Sequence, residues 1–367
     1  MMISRKAFIR RAAMLAGGVL SGGILSGGVF SSSVLSGSVL SGGVRSGSNL
    51  SGSRHSRQNI EEDIIPGDLL HLPAPDPDSL LTLLYTNDTH SRIDPFPETA
   101  VEYAGLGGIA QRAHLVNEVR KHRPHVILLD AGDVFQGTPW FRLYGGEVDF
   151  RIMTEMGYDA MTLGNHEFDL GIDHLAAVSA HAGFPLLAAN YNTHQTALKK
   201  TIRPLTILKR GSMRIGVFGL GVGLHGVVKP ELHGDVSMYN TITRARMMAK
   251  SLRSFHKCDL VICLSHLGYQ YQTSSNRPQT PDDRTIAQQV EGIDIIIGGH
   301  THTFLEQPEI LQHPSGQRTL ITQMGHSGVR LGHLELNLET WRATGDFQAA
   351  YYEVGTTVRA PHAFTSG

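Results

Sequence analysis

Residues 157–171 read Gly-Tyr-Asp-Ala-Met-Thr-Leu-Gly-Asn-His-Glu-Phe-Asp-Leu-Gly. The first half is an apolar run of strand character. Directly behind it stand an amide (Asn165), an imidazole (His166) and two carboxylates (Glu167, Asp169). Gly-Asn is ordinarily a turn, but it seldom precedes His-Glu immediately after a buried strand. A strand that stops at such groups delivers them to the edge of a sheet. Four other stretches repeat the pattern. LLTLLYT precedes Asn87-Asp88-Thr89-His90, HVILLDA precedes Gly132-Asp133, CDLVICLS ends on Ser265 before His266, and IDIIIGG precedes His300-Thr301-His302. Taken singly, Asp88-Thr89-His90 reads as a loop, Gly132-Asp133 as a turn and Ser265-His266 as a surface histidine. Their common order and placement carry the inference.

Outward from these blocks, strand and helix patterns alternate from Leu80 onward. A helical segment over 108–121 spaces Ile109, Ala113, Val116 and Val119 with an amphipathic period. Further helices are expected near 148–156, 172–182, 241–255 and 283–290. Strands are expected at 80–86, 125–130, 159–163, 201–208, 213–219, 259–264, 293–297, 308–312, 318–322 and 329–338. The pattern predicts an α/β chain with mixed sheets rather than a single parallel one. Ligands in such folds gather at the carboxyl ends of strands, and all five blocks sit there. A single domain over 80–350, followed by a tail at 356–367, is the expected organisation.

The blocks carry metal-grade side chains. Asp88 and His90 are two apart, and residues i and i+2 of a strand share a face, so both can serve one cation. His300 and His302 repeat that spacing behind Gly298-Gly299. Gly132 lets the backbone turn sharply and bring Asp133 inward, and a carboxylate has two oxygens with which to bridge two metals. Asn165 adds an amide oxygen and His266 another imidazole. Nitrogen and oxygen donors without thiolate suit Zn, Mn, Fe or Co better than Ca or Mg. Two divalent ions so held can activate a hydroxide and polarise a phosphoryl oxygen. His166 could stabilise the charged transition state or protonate the leaving oxygen, with Asp169 orienting its ring. The other fifteen of the twenty histidines are read as solvated or packed.

Charge excludes one class of function. The formal net charge is −1, but residues 1–57 hold seven Lys/Arg and no acid. Of 32 basic residues, 25 remain against 33 acidic ones, a net of −8 beyond residue 57. That leaves no basic stripe for nucleic acid. Cys258 and Cys263 are five apart, and an odd spacing within one strand would point them to opposite faces as two buried, unpaired thiols. The N-terminal residues Ser4-Arg5-Lys6-Ala7-Phe8-Ile9-Arg10 resemble a twin-arginine export signal in which lysine replaces the second arginine. From Gly17 a Gly/Ser-rich repeat of period five runs to Ser56. It suits a flexible linker better than a membrane anchor, because its glycine and serine make it weakly hydrophobic. The reading is an exported chain, periplasmic or extracellular.

The ordered blocks Asp-x-His, Gly-Asp, Gly-Asn-His-Glu, His and Gly-His-x-His resemble those of the calcineurin-like metallophosphoesterases. The longer strings TNDTHSR, LLDAGDVFQGTP, GYDAMTLGNHEFDLG, LSHLG and IIGGHTHTF are similar to the catalytic domain of the bacterial 5′-nucleotidase and UDP-sugar hydrolase branch, over roughly residues 80–340. The resemblance implies a four-layer α/β/β/α sandwich with two mixed sheets and two metals. By position, one metal would take Asp88, His90, Asp133 and His302. The other would take Asp133, Asn165, His266 and His300, and His166 with Asp169 would form the catalytic pair. The expected substrate is a small phosphorylated molecule, a 5′-nucleotide or a related ester or anhydride. Members of this branch carry a C-terminal nucleotide-binding domain, which is expected to be absent from this chain. The alternatives this leaves open are a separate docking subunit that supplies the domain, a simpler phosphate ester as substrate, or weak base recognition. Trp140 and Phe141 are read as packing rather than substrate contacts. Hydrolysis of a sulfur–sulfur bond on the same site, or a non-catalytic subunit keeping the fold, are the alternatives.

Overall fold

A computed structural model describes residues 80–271 and 281–355, together with the backbone of 362–365. All of these belong to one unit, residues 64–367. The export signal and repeat linker expected over 1–57 lie outside the described residues. No helix among the described residues is long and apolar enough to cross a membrane.

The alternation of apolar residues along the strands builds two sheets packed face to face. In the first, the spatial order is His362–Thr365, Gln348–Glu353, Arg330–Asn337, Leu80–Thr86, Val126–Asp130, Ala160–Thr162, Leu186–Leu187 and Ile202–Arg203. The last five run parallel, and Arg330–Asn337 joins Leu80–Thr86 antiparallel. The second sheet runs Glu309–Gln312, Arg318–Thr322, Ile295–Gly298, Leu260–Ser265, Met213–Leu220 and Leu205–Arg210, with both outer pairings antiparallel. Both sheets are therefore mixed. Period-two patterning assigns each side chain to a face. Leu81, Leu83, Tyr85, Ile127 and Leu129 from the first sheet meet Ile215, Val217, Leu260, Ile262, Leu264, Ile295 and Ile297 from the second in one buried cluster.

Helices cover the outer faces. Val261, Cys263 and Ile296 point away from the sheet interface and pack with Ala245, Met248, Ile286 and Ala287 of the helices Thr241–Lys250 and Asp283–Gln289. On the other side, the helices Ile109–His122 and Glu147–Met156 bury Val116, Val119, Phe150 and Met153 as they cross between parallel strands. The result is the four-layer α/β/β/α arrangement. Each fully buried Leu or Ile contributes roughly 1.5–3 kcal/mol relative to an exposed one.

Local differences from the sequence reading have local causes. The helix expected over 172–182 is Ile172–Val178 closed by a 3₁₀ turn, and that over 241–255 ends at Lys250 in a single wide π turn, Ser251–Phe255. The strand Gln348–Glu353 and the backbone strand His362–Thr365 extend the first sheet, so the stretch read as a tail contains an edge strand. Cys258 precedes the strand Leu260–Ser265, so strand alternation does not apply to it. Both cysteines are free, buried and part of the same cluster.

One hydrogen bond ties the two sheets near the site. The Tyr85 hydroxyl lies 2.9 Å from Thr322 Oγ1, both buried. Tyr85 has room for its ring because its cross-strand partner is Gly332, where an added Cβ would fall 2.1 Å from the ring. Tyr85→Phe should keep the packing and leave the Thr322 hydroxyl without its partner, lowering stability by about 1–3 kcal/mol in urea unfolding. An unchanged midpoint and slope would show that this bond does not hold the sheets together.

Candidate metal centre

The site lies where the strands Leu80–Thr86, Val126–Asp130, Ala160–Thr162, Leu260–Ser265 and Ile295–Gly298 end. Ten non-glycine described residues have positive φ, and five of them are Asp88 (48°), His90 (48°), Asp133 (56°), His300 (74°) and His302 (52°). The left-handed region costs such residues of order 1–3 kcal/mol each and persists only where surroundings enforce it. Here the loops clamp one another. The amide of Asp88 donates to Gly132 O (2.8 Å), that of His90 to Asp133 O (3.1 Å) and that of Ser327 to Asp88 O (2.6 Å). The amide of His300 donates to the Asp88 carboxylate at 3.0–3.1 Å.

Two clusters result. Ligand atoms of Asp88, His90 and His302 all lie within 4.8 Å of one another, as do those of Asp133, His266 and His300. His90 Nε2 is 3.0 Å from His302 Nε2, and His302 Nε2 is 3.3 Å from Asp88 Oδ1. In the second cluster His266 Nε2 is 2.9 Å from Asp133 Oδ2. It also lies 3.9 Å from Asp88 Oδ1, so the clusters adjoin. Asn165 sits between Gly164, whose Cβ position would fall 2.1 Å from Asp133 Oδ1, and His166, whose amide donates to that same oxygen at 2.8 Å. The Asn165 Oδ1 atom is buried without a hydrogen-bond partner.

This donor set fits divalent cations. His266 Nδ1 lies 2.7 Å from Ala131 O and His90 Nδ1 3.1 Å from Phe135 O, so in each ring the Nδ1–H donates to a carbonyl and Nε2 presents a lone pair. Where a ring nitrogen faces a carboxylate (His266 Nε2 to Asp133) or another imidazole nitrogen at 3.0 Å (His90 to His302), a shared proton or a metal cation satisfies the pair. Burial disfavours the charged form of His266, but Asp133 and Asp88 outweigh it and push the ring up to about 10. Burial would raise Asp133, yet His266, His166 and His90 hold its carboxyl well below the usual range. Burial and the neighbouring His266 push His300 down to about 4. The buried orphan oxygen of Asn165 is a further donor that only a cation or water can satisfy.

His166 stands beside the first cluster, its ring 5.4 Å from that of His90. His166 Nδ1 is 2.9 Å from Asp169 Oδ2. Burial works against protonation of His166, but the bond to Asp169 and the charge of Asp133 raise it above the ordinary value. All nine residues singled out in the sequence therefore lie at this one crevice. Trp140 and Phe141 do not share a role. Phe141 is buried against Phe135, while Trp140 stacks on Tyr144 and donates to Asp94.

Two supporting residues escaped the sequence reading. Glu167, quoted only as part of its block, is buried and accepts four backbone N–H bonds: Oε2 from Asp133 (3.0 Å) and Gly164 (2.6 Å), Oε1 from Val134 (2.8 Å) and Phe135 (3.3 Å). Its carboxylate locks the Asp133 turn to the Asn165 turn. Asn87 donates to Asp88 Oδ2 (2.7 Å) and Gly325 O (2.6 Å) and accepts from the Met324 amide (2.8 Å). The only signal for either was its place beside a ligand. Glu167→Gln puts an NH₂ against amide donors, so metal retained per chain after dialysis should fall, with affinity weakened roughly 10–100-fold. Full retention would mean that Glu167 does not set the ligand geometry.

Comparison with known proteins identifies the family. Residues 81–304 match the family model of the calcineurin-like phosphoesterases. A 5′-nucleotidase of Bos taurus is 32% identical over 71% of this chain and 46% of its own length. Among solved structures, a 5′-nucleotidase precursor of Thermus thermophilus superposes with a TM-score of 0.63 at 29% identity, over 78% of this chain and 54% of that one. An NAD nucleotidase of Haemophilus influenzae gives a TM-score of 0.61 at 25% identity, over 78% and 50%. The chain thus spans about half the length of these relatives. It belongs to the calcineurin-like phosphoesterase family, whose members are metal-dependent phosphoester hydrolases.

Proposed function

We propose that this chain hydrolyses phosphate esters or anhydrides of small molecules, with 5′-nucleotides as its principal substrates and two divalent metals at its centre. The observation that carries the reading is the adjacency of two ligand clusters with the His166–Asp169 pair beside them. The relatives' names, 5′-nucleotidase and NAD nucleotidase, support the substrate class. Asp88, His90 and His302 would hold one ion, and Asp133, Asn165, His266 and His300 the other; the family resemblance adds Asp133 to the first set as well. Bound there, the metals would supply Lewis-acid polarisation of the phosphoryl group and a nucleophile at neutral pH.

The protein's own groups do the rest. The carbonyls of Ala131 and Phe135 hold His266 and His90 in the tautomer whose Nε2 lone pair faces the centre. Asp169 holds Nδ1–H of His166, which leaves Nε2 to carry a proton to the leaving oxygen. Burial of Asp88 and Asp133 keeps water from screening their charge. Exported localisation belongs to the same reading and rests on the basic, then uncharged, N-terminal sequence.

Phosphate release from AMP, UDP-glucose and an aryl phosphate, with Mn or Zn supplied, tests the function. Turnover of AMP above the aryl ester is the expected result, and no release with metals bound would overturn the proposal. Asp133→Ala should lose both metals and with them activity. His166→Ala should retain metal and lose about 10²–10⁴-fold in kcat. Metal loss in the His166 variant would contradict the role given to it.

A further inference from the structure

Bordering the first cluster is an imidazole that neither ligand set uses. His326 lies between the strands Arg318–Thr322 and Arg330–Asn337, its ring 4.9 Å from that of His302 and inclined by 30°. Centroid separations of 5.4 Å (His166 to His90), 5.0 Å (His90 to His302) and 4.9 Å (His302 to His326) make a row of four imidazoles along one side of the crevice. His166 stands at one end and His326 at the other.

The loop that carries His326 is part of the site's own scaffold. Asn87 holds Gly325 O and the Met324 amide, and the Ser327 amide donates to Asp88 O. The residues on both sides of His326 are thereby tied to the loop of a candidate ligand. Ser327 has φ 57°, a conformation that these bonds enforce. Behind the ring stand Tyr103, edge-on at 5.4 Å and 86°, and Phe304 at 5.7 Å and 66°. Gly325 lets this loop press against Phe304, since a Cβ there would lie 2.1 Å from that ring. Phe304 is in turn covered by Tyr103 on stacking and by the Arg330 guanidinium at 4.8 Å. An aromatic column of this kind prevents the imidazole from swinging away from His302.

Three roles are open to a group so placed. Packing alone would be served as well by Phe or Tyr, without a polar ring half in solvent. Ligation is not assigned to it, because His326 belongs to neither cluster of ligand atoms and both sets are filled from other residues. The third role follows from its hydrogen bonds. Nδ1 lies 3.0 Å from Ser327 Oγ, and among the described residues no partner bonds Nε2. One nitrogen is anchored, and the other is left without a protein partner beside the first cluster. Building on the function proposed above, we propose that His326 is a substrate-binding residue whose Nε2–H donates to a phosphate oxygen of the bound ester, at the end of the imidazole row opposite His166.

The test compares wild type with His326→Phe, which keeps the aromatic packing, and His326→Gln, which keeps a donor. With AMP as substrate, His326→Phe should raise KM about tenfold or more, the effect of losing one hydrogen bond to a charged group, while kcat changes much less. Inorganic phosphate binding, measured by calorimetry on the metal-loaded protein, should weaken by a similar factor. His326→Gln should recover part of both losses, and metal content should match wild type throughout. Wild-type KM and phosphate affinity in His326→Phe would reduce the residue to packing and overturn the proposal. Loss of metal in His326→Phe would overturn it as well, by showing that the ring supports His302 instead. A wild-type protein that releases no phosphate would sink the broader functional reading. An active wild type with an indifferent His326→Phe would sink this inference alone.

Discussion

The turn at Asp133 and the turn at Asn165 approach so closely that neither Gly132 nor Gly164 has space for a side chain. Everything at the site depends on that contact. Glu167 maintains it by gathering four backbone N–H groups from the two turns onto one buried carboxylate. Those amides would otherwise be buried donors without partners, each costing about 1–3 kcal/mol. The carboxylate therefore holds the strained Asp133 loop in register with the Asn165 turn, and it does so from within the latter. Asp133 gains its orientation from this clamp and from the His166 amide, and the geometry of the second cluster follows.

The electrostatics of the crevice follow from the same enclosure. Asp88, Asp133 and His266 are all buried, and imidazoles outnumber the carboxylates around them. Without a cation, the ring nitrogens of His90, His302 and His266 face each other or a carboxylate at about hydrogen-bonding distance, and a proton must be shared at each contact. The field raises His266 and lowers Asp133 because a proton between them relieves part of that conflict. A divalent ion bound there would relieve it further and would couple metal occupancy to folding. Rigidity at the ligands comes from backbone carbonyls and cross-loop amides rather than from side-chain packing.

Most of the fold was legible in local pattern. Leu81, Leu83 and Tyr85 alternate with Thr82 and Leu84, and the same period places Ile262 and Leu264 opposite Val261 and Cys263. Short pieces such as Leu186–Leu187 and Tyr191–Asn192 carry too few residues for any period to register. Cys258 shows the limit of counting, because an offset of one or two residues at a strand end decides whether alternation applies at all. Glu167 and His326 were visible as residue types yet not as participants. A buried carboxylate whose partners are all backbone amides leaves no mark in side-chain spacing, and the aromatic backing of His326 comes from segments far apart in the chain.

By itself the sequence determined which strands form, which side chains stand at their carboxyl ends, and that those side chains are nitrogen and oxygen donors without thiolate. Those properties depend on neighbours within a few residues, through the two-residue period of a strand and the turn-forming freedom of Gly132 and Gly164. Residue spacing left open how His300 and His302 divide, and only the family resemblance separated them. The tertiary structure supplies the physical cause, with His302 against Asp88 and His90 and His300, two residues away, against Asp133 and His266. That division depends on how two sheets stack and on positive φ at both histidines, a conformation that isolated residues avoid. Only the cross-loop hydrogen bonds of the folded chain supply the free energy to hold it.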